Sequence, residues 1–380
     1  MVSVSYQKIL LLGSRISSSY FKGPYLIFNA LILFYKILNL SLNILVSCLV
    51  LILSLSSSAF ADLITISNSD KTFANFKTTQ VLPDKLSQLD LFIDLPNLIP
   101  NPGVMPYQVN FPLWSDGATK NRWIFIPFGS KIQFDSTEAW LPAVGTVLIK
   151  EFDFDRRVET RIEFLSPTGW QFASYLWQDD QKEAIRVDQA TSVNVSSPAS
   201  PAVFKWVIPA PWDCVKCHRS TGTQLGSPAL GLNTAQFGSF RISKWILMGL
   251  FSNPPERVDQ LSYLPDIGQP TITASAHDLA RGYLAVNCSS CHRPGGFVPT
   301  NLDFRWSTLS SHMNAINKPP LFGNLGIPGS MIITPMDKFK SLLWLRMGRT
   351  DSARMPYLGS KLQDQSGLNW LGQWIDNGSP

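Results

Sequence analysis

Residues 157–164 read Arg157-Val158-Glu159-Thr160-Arg161-Ile162-Glu163-Phe164. Val158, Thr160, Ile162 and Phe164 fall on one face, and Arg157, Glu159, Arg161 and Glu163 on the other. A period of two is the mark of a β-strand with one buried face. The neighbouring segments agree. Trp123 to Pro127 is aromatic and β-branched, Gly145 to Lys150 holds a short apolar run, and Trp170 to Trp177 is rich in aromatics. Asp116-Gly117 and Ser166-Pro167-Thr168-Gly169 supply turns between them. The expectation is a β-rich, sandwich-like domain over residues 62–200, with a short helix from Leu82 to Phe92 leading into it. Ser196 to Pro201 is rich in Ser, Pro and Ala and reads as a linker out of it.

Beyond that linker stand Cys214-Val215-Lys216-Cys217-His218 and Cys288-Ser289-Ser290-Cys291-His292. C-x-x-C-H is the attachment pattern for haem c. Two thiols three positions apart can form thioethers to the two porphyrin vinyl groups, which leaves the following histidine beneath the iron. The chain has five cysteines and four histidines, and the two motifs take four and two of them. Zinc knuckles usually pair at about 15–20 residues, whereas Cys214 and Cys288 stand 74 positions apart. Two disulfides would leave both adjacent histidines unexplained. The cofactor-binding residues are therefore Cys214, Cys217, Cys288 and Cys291, for two covalently bound haem c groups. His218 and His292 are the proximal iron ligands.

Helical patterns surround the motifs. Phe237 to Phe251 reads as a helix in a first haem module over residues 201–265. Ala276 to Val286 runs into the second motif, with Ala280 and Leu284 on one face. Asp337 to Arg349 and Ser366 to Asp376 complete a cytochrome c-like second module over residues 266–380. The fold class expected is α+β: a sandwich-like N-terminal domain, then mainly α haem modules. Met355, in Ala353-Arg354-Met355-Pro356-Tyr357, follows the second motif and precedes the last helix. A small cytochrome c carries its methionine ligand there, so Met355 is the expected distal ligand, with Met347 as rival. For the first haem, Met248, His277 and an open site all stay possible. His277 also reads as a solvated or capping residue, and Met248 as core. His312 and Met313 read as incidental loop residues.

Residues 1–61 hold no Asp or Glu, carry Lys8, Arg15, Lys22 and Lys36, and end in Ser58-Ala59-Phe60-Ala61 after an apolar run. A basic start, an apolar core and an A-x-A end form a signal peptide. An uncleaved anchor from Tyr25 to Leu55, or lipoprotein processing at Cys48, are the alternatives. Haem c is attached outside the cytoplasmic membrane, so export and haem support each other and point to the periplasm. The chain's net charge is +5; four of its 32 basic residues lie before residue 62, which leaves 28 against 27 acidic ones. No basic field suggests nucleic acid.

Phe111-Pro112-Leu113-Trp114-Ser115-Asp116-Gly117-Ala118, Gly145 to Lys150, Glu159-Thr160-Arg161 and Tyr283 to Gly296 (YLAVNCSSCHRPGG), with the stretch to Met355 and the Trp-containing last helix, resemble a family of predicted periplasmic dihaem c-type cytochromes with an N-terminal β-rich domain. The resemblance covers most of residues 85–380. It implies single-electron transfer with periplasmic redox proteins: another cytochrome, a cupredoxin or a dehydrogenase. A dihaem peroxidase or oxidase-like enzyme acting at the first haem is the alternative, and it needs an open iron there.

Overall fold

The computed structural model describes residues 82–218 and 230–378. The signal-peptide reading and Cys48 lie outside them. Ten strands are described: β1 (Phe92–Asp94), β2 (Ile99–Pro100), β3 (Val104–Pro106), β4 (Thr119–Phe125), β5 (Val147–Asp153), β6 (Arg157–Ser166), β7 (Gly169–Trp177), β8 (Ala184–Val187), β9 (Thr191–Ser197) and β10 (Ser200–Ile208). Five α-helices follow: α1 (Pro211–Cys217), α2 (Thr234–Leu247), α3 (Ala276–Asn287), α4 (Leu342–Met347) and α5 (Gln365–Asp376).

Strands β3 to β8 form a six-stranded antiparallel meander in sequence order. The alternation in β6 sets its faces. Ile162 and Phe164 join Trp123, Phe125, Val147, Ile149, Ala173, Tyr175 and Trp177 in one core, covered by Leu82, Leu86, Leu89 and Phe92 of the leading segment. That segment forms a 3-10 turn at Leu86–Leu89, not the helix expected from Leu82 to Phe92. The polar face of β6 is not in water. Glu159 is fully buried, accepting from Trp206 Nε1 at 3.0 Å and from Arg161 Nε at 2.7 Å. A carboxylate shut away from water needs such partners.

Three things cover this second face. The β9–β10 hairpin packs Val195, Trp206 and Ile208 on Phe152 and Val158. Helix α2, capped by Asn233, brings Phe237 and Trp245 to Trp140, with ring centroids 4.7 and 5.9 Å away. Helix α1 lies on β7. The stretch read as a linker, Ser196 to Pro201, is the turn region of the β9–β10 hairpin, with Ser197 opposite Ser200.

The expected fold class is not what the structure has. Among the described residues it is predominantly β, with ten strands in three sheets, and the mainly α cytochrome c-like modules are not seen. Individual helices sit close to their sequence patterns, as α3 and α5 do, but the chain between them does not continue as helix. Pro294, Pro299, Pro319, Pro320, Pro328 and Pro335 interrupt the stretch between the second motif and α4, and each lacks the amide a helix interior needs. The helix expected from Asp337 to Arg349 is a 3-10 turn at Lys338–Lys340 followed by the six-residue α4. Helix α2 carries a non-helical Gly238 near its start.

The C-terminal segment is tied to the sheet by polar contacts. Asp116 is buried and accepts backbone N–H bonds from Lys361 and Leu362 at 2.8 Å each. Trp114 N donates to Asn287 Oδ1 at 2.8 Å. Glu138 pairs with Arg293 and Arg305 at 2.9 and 2.6 Å. Helices α3 and α5 pack together, and Gly367 allows it: a Cβ there would meet the Tyr283 ring at 2.2 Å.

Candidate haem-attachment site

The first motif occupies α1, which two residues separate from β10. Pro211 opens the helix, and Asp213 Oδ2 accepts the Ala210 N–H at 3.2 Å. Cys214 and Cys217, three apart on a helix, share a face. His218 ends the helix, its N–H donating to Cys214 O at 2.9 Å. The imidazole rests on the sheet. Its Nδ1 is 3.6 Å from Glu163 Oε2 and its ring is 5.2 Å from that of Phe172. Glu163 and Phe172 are themselves opposite one another on β6 and β7. Burial lowers the His218 pKa, with Glu163 pulling the other way, so the imidazole is held neutral as an iron ligand requires. Burial also pushes the Cys214 thiol up to about 11.

The second motif follows α3. Ser275 caps that helix, accepting from Asp278 N at 3.0 Å, and Ala280 and Leu284 are fully buried on its inner face. After Cys288 the backbone keeps one helical turn: Cys291 N and His292 N both donate to Cys288 O, at 3.2 and 2.9 Å. His292 Nδ1 lies 3.2 Å from Thr300 Oγ1, and its ring 5.7 Å from that of Phe304. Gly296 is pressed on the motif; a Cβ there would sit 2.3 Å from Cys291 O. Burial lowers the His292 pKa and raises the Cys288 thiol to about 12.

The two motifs meet. The Cys217 and Cys291 thiols lie close enough to perturb each other's titration, so they do not ionise independently. All four motif cysteines are free thiols. The structure therefore brings the two motifs together at Cys217 and Cys291.

The candidates for the sixth ligand separate. Met355 lies in the loop between α4 and α5, 37% exposed, with its N–H bonded to Arg346 O at 3.0 Å. Two residues on, Tyr357 is near enough to act on the Lys216 ammonium of the first motif, after its stronger partner Asp213. Met347 is core, packed with Leu368 and Trp374, and Met248 packs against the cluster of Trp245 and Phe251. His277 sits at the far end of α3 from the second motif, roughly 16 Å along the helix, beside Asp278 and Ser310. Met313, read as incidental, is fully buried and takes the Arg281 guanidinium at 2.6 Å from its sulfur.

Glu163 and Phe172, the floor beneath His218, were legible as strand residues but not as part of a site. The alternation of β6 points Glu163 away from the first core; only the fold puts a histidine there. Among the described residues no helix is long and apolar enough to cross a membrane, and no three His, Cys, Asp or Glu side chains converge as a metal site. No family model, curated protein or solved structure matches the chain.

The residues fit haem c. Each motif ends in one helical turn that sets two thiols and a histidine in fixed order, and His218 Nδ1 is buried with no hydrogen-bond partner. A porphyrin supplies four nitrogens itself, so each iron asks only one histidine of its motif.

Proposed function

We propose that this chain is an exported dihaem c-type cytochrome that carries single electrons between periplasmic redox partners. Cys214 and Cys217 would hold one haem over His218, and Cys288 and Cys291 the other over His292. The observation that carries the reading is the contact of Cys217 with Cys291, because it makes one composite site from two attachment motifs far apart in sequence. Bound haem supplies the one-electron chemistry. The chain's residues fix the ligands: Thr300 lies within hydrogen-bond distance of His292, Glu163 stands 3.6 Å from His218, and burial keeps both imidazoles neutral. Such partners tune ligand basicity and potential. Met355 is the sixth ligand proposed for the second haem. Partners would be a cytochrome, a cupredoxin or a dehydrogenase, meeting the protein in small transient contacts. The test is haem staining and a redox-resolved visible spectrum of the purified exported protein. Two haems and two one-electron waves are expected; a chain without covalent haem rejects the proposal.

One observation favours an enzyme acting at the first haem. Glu163 stands beside His218, and a carboxylate there raises the basicity of the imidazole. Met248 packs against the cluster of Trp245 and Phe251, and His277 lies beside Asp278 and Ser310. An iron that binds CO or cyanide in the resting protein would favour a peroxidase or oxidase-like activity. Two low-spin haems indifferent to both ligands would exclude it.

A further inference from the structure

Arg122, Lys150, Arg161 and Ser174 form one straight row across the sheet. Arg122 is opposite Lys150 on β4 and β5, Lys150 opposite Arg161 on β5 and β6, and Arg161 opposite Ser174 on β6 and β7. Directly opposite residues share a face. Three cations in adjacent register repel each other, and such pairs are destabilising in a sheet. All three cations are half-buried, so water screens the repulsion less than it would at an open surface.

We propose that this row is an anion site for the two propionate carboxylates of the haem held by the first motif, an inference that rests on the haem reading above. The carboxylates already present do not satisfy the row. Glu159 is taken by Arg161 and Trp206, and Glu163 faces His218. Asp364, the carboxylate felt by Lys120 at the edge of the cluster, caps α5 through Gly367 N. Among the described residues, neither Arg122 nor Lys150 has a carboxylate within ion-pair distance. Two unpaired cations match two propionates. The end of the row repeats the point: Ser174 is buried and its hydroxyl has no hydrogen-bond partner. Proximity to the motif is direct, since Lys150 and Arg161 both act on His218, and Arg161 acts on Cys214. Burial and the neighbouring Arg122 guanidinium push the Lys150 ammonium down to about 8, although Glu163 and Glu159 pull the other way.

The test compares Lys150→Gln, Arg122→Gln and Lys150→Arg with the wild-type holoprotein. Haem staining reads attachment; redox titration and the propionate bending bands in resonance Raman spectra read the row. Removing a cation beside a haem favours its oxidised form. Each Gln variant should keep full staining, shift the propionate bands and move one haem's redox equilibrium about tenfold toward oxidation, which is 59 mV for one electron. Lys150→Arg should leave both readouts as in the wild type. Unchanged potentials and bands in fully stained Gln variants would overturn the inference. An equal disturbance in Lys150→Arg would also overturn it, because position rather than charge would be responsible. A wild-type potential that responds to inorganic phosphate beyond a chloride control would assign the row to a free anion. A blank haem stain in the wild type removes the haem proposal itself, and the inference with it.

Discussion

The side chains of Cys217 and Cys291 interact, joining a helix that follows a β-hairpin to a turn that follows α3. Each cysteine belongs to its own C-x-x-C-H motif, so the two proposed attachment sites share one locality. Removing one pair should then leave the other intact. Cys214→Ala with Cys217→Ala, or Cys288→Ala with Cys291→Ala, should each halve haem staining on gels. Full staining in either double variant would show that its cysteines hold no haem.

Met355 and Met347 should respond differently. Met355 is 37% exposed and Met347 only 6%. Met355→Ala should open one iron to exogenous ligands while leaving the melting temperature almost unchanged. Met347→Ala should cost about 2–5 kcal/mol as a core truncation and leave the haem spectrum alone. Spectra and thermal melts on both variants check this, and the reverse pattern would transfer the ligand role to Met347.

Asp116 holds the segment before α5 through the Lys361 and Leu362 amides. Asp116→Ala leaves both N–H groups without their charged acceptor. Bonds of that kind contribute about 1.5–3 kcal/mol each, so denaturant unfolding should show a loss of ~3 kcal/mol. A loss under 1 kcal/mol would mean that water replaces the carboxylate.

Gly367 lies against the Tyr283 ring. Gly367→Ala would force α3 and α5 apart, although alanine is the better helix former. Overpacking of this kind costs about 1–3 kcal/mol. A thermal melt at or above the wild-type temperature would show that the ring can move aside.

Glu151 is fully buried; Asn121 donates to its Oε2 at 2.7 Å, while Oε1 has no partner. Burial raises its pKa from 4.5 to about 7, against the opposing Asn121 bond. A raised folded pKa gives stability that is present below the unfolded value and lost as pH rises through the folded one. Unfolding free energy should therefore fall between about pH 4.5 and 7, by on the order of 3 kcal/mol. Glu151→Gln should remove that slope. A variant with the wild-type pH profile would place the titration elsewhere.

Much of the sheet was legible from residue patterns. The alternation of 157–164 predicted β6, and the aromatic runs on either side predicted parts of β4 and β7. The helices α3 and α5 were also close to their patterns, because an apolar stripe at helical spacing needs only its own residues to be recognised. The modules around them were not. A helical stripe says which face must be buried and not what buries it. Here α3 and α5 bury theirs on each other, on Phe111 and on long loops punctuated by proline. The Ser/Pro/Ala stretch at 196–201 failed for a related reason: turn residues look the same in a linker and in a hairpin, and pairing of β9 with β10 decides between them.

The sequence by itself determined the two C-x-x-C-H spacings on which the haem proposal rests. Thioether spacing and the adjoining histidine are local covalent requirements, written within five residues at each motif. Only the tertiary structure decided what surrounds them. The contact of Cys217 with Cys291, the Glu163 carboxylate beside His218 and the row of Arg122, Lys150, Arg161 and Ser174 all depend on strand register and on which layer covers the sheet. Those are set by packing between segments far apart in the chain, and no local pattern carries them.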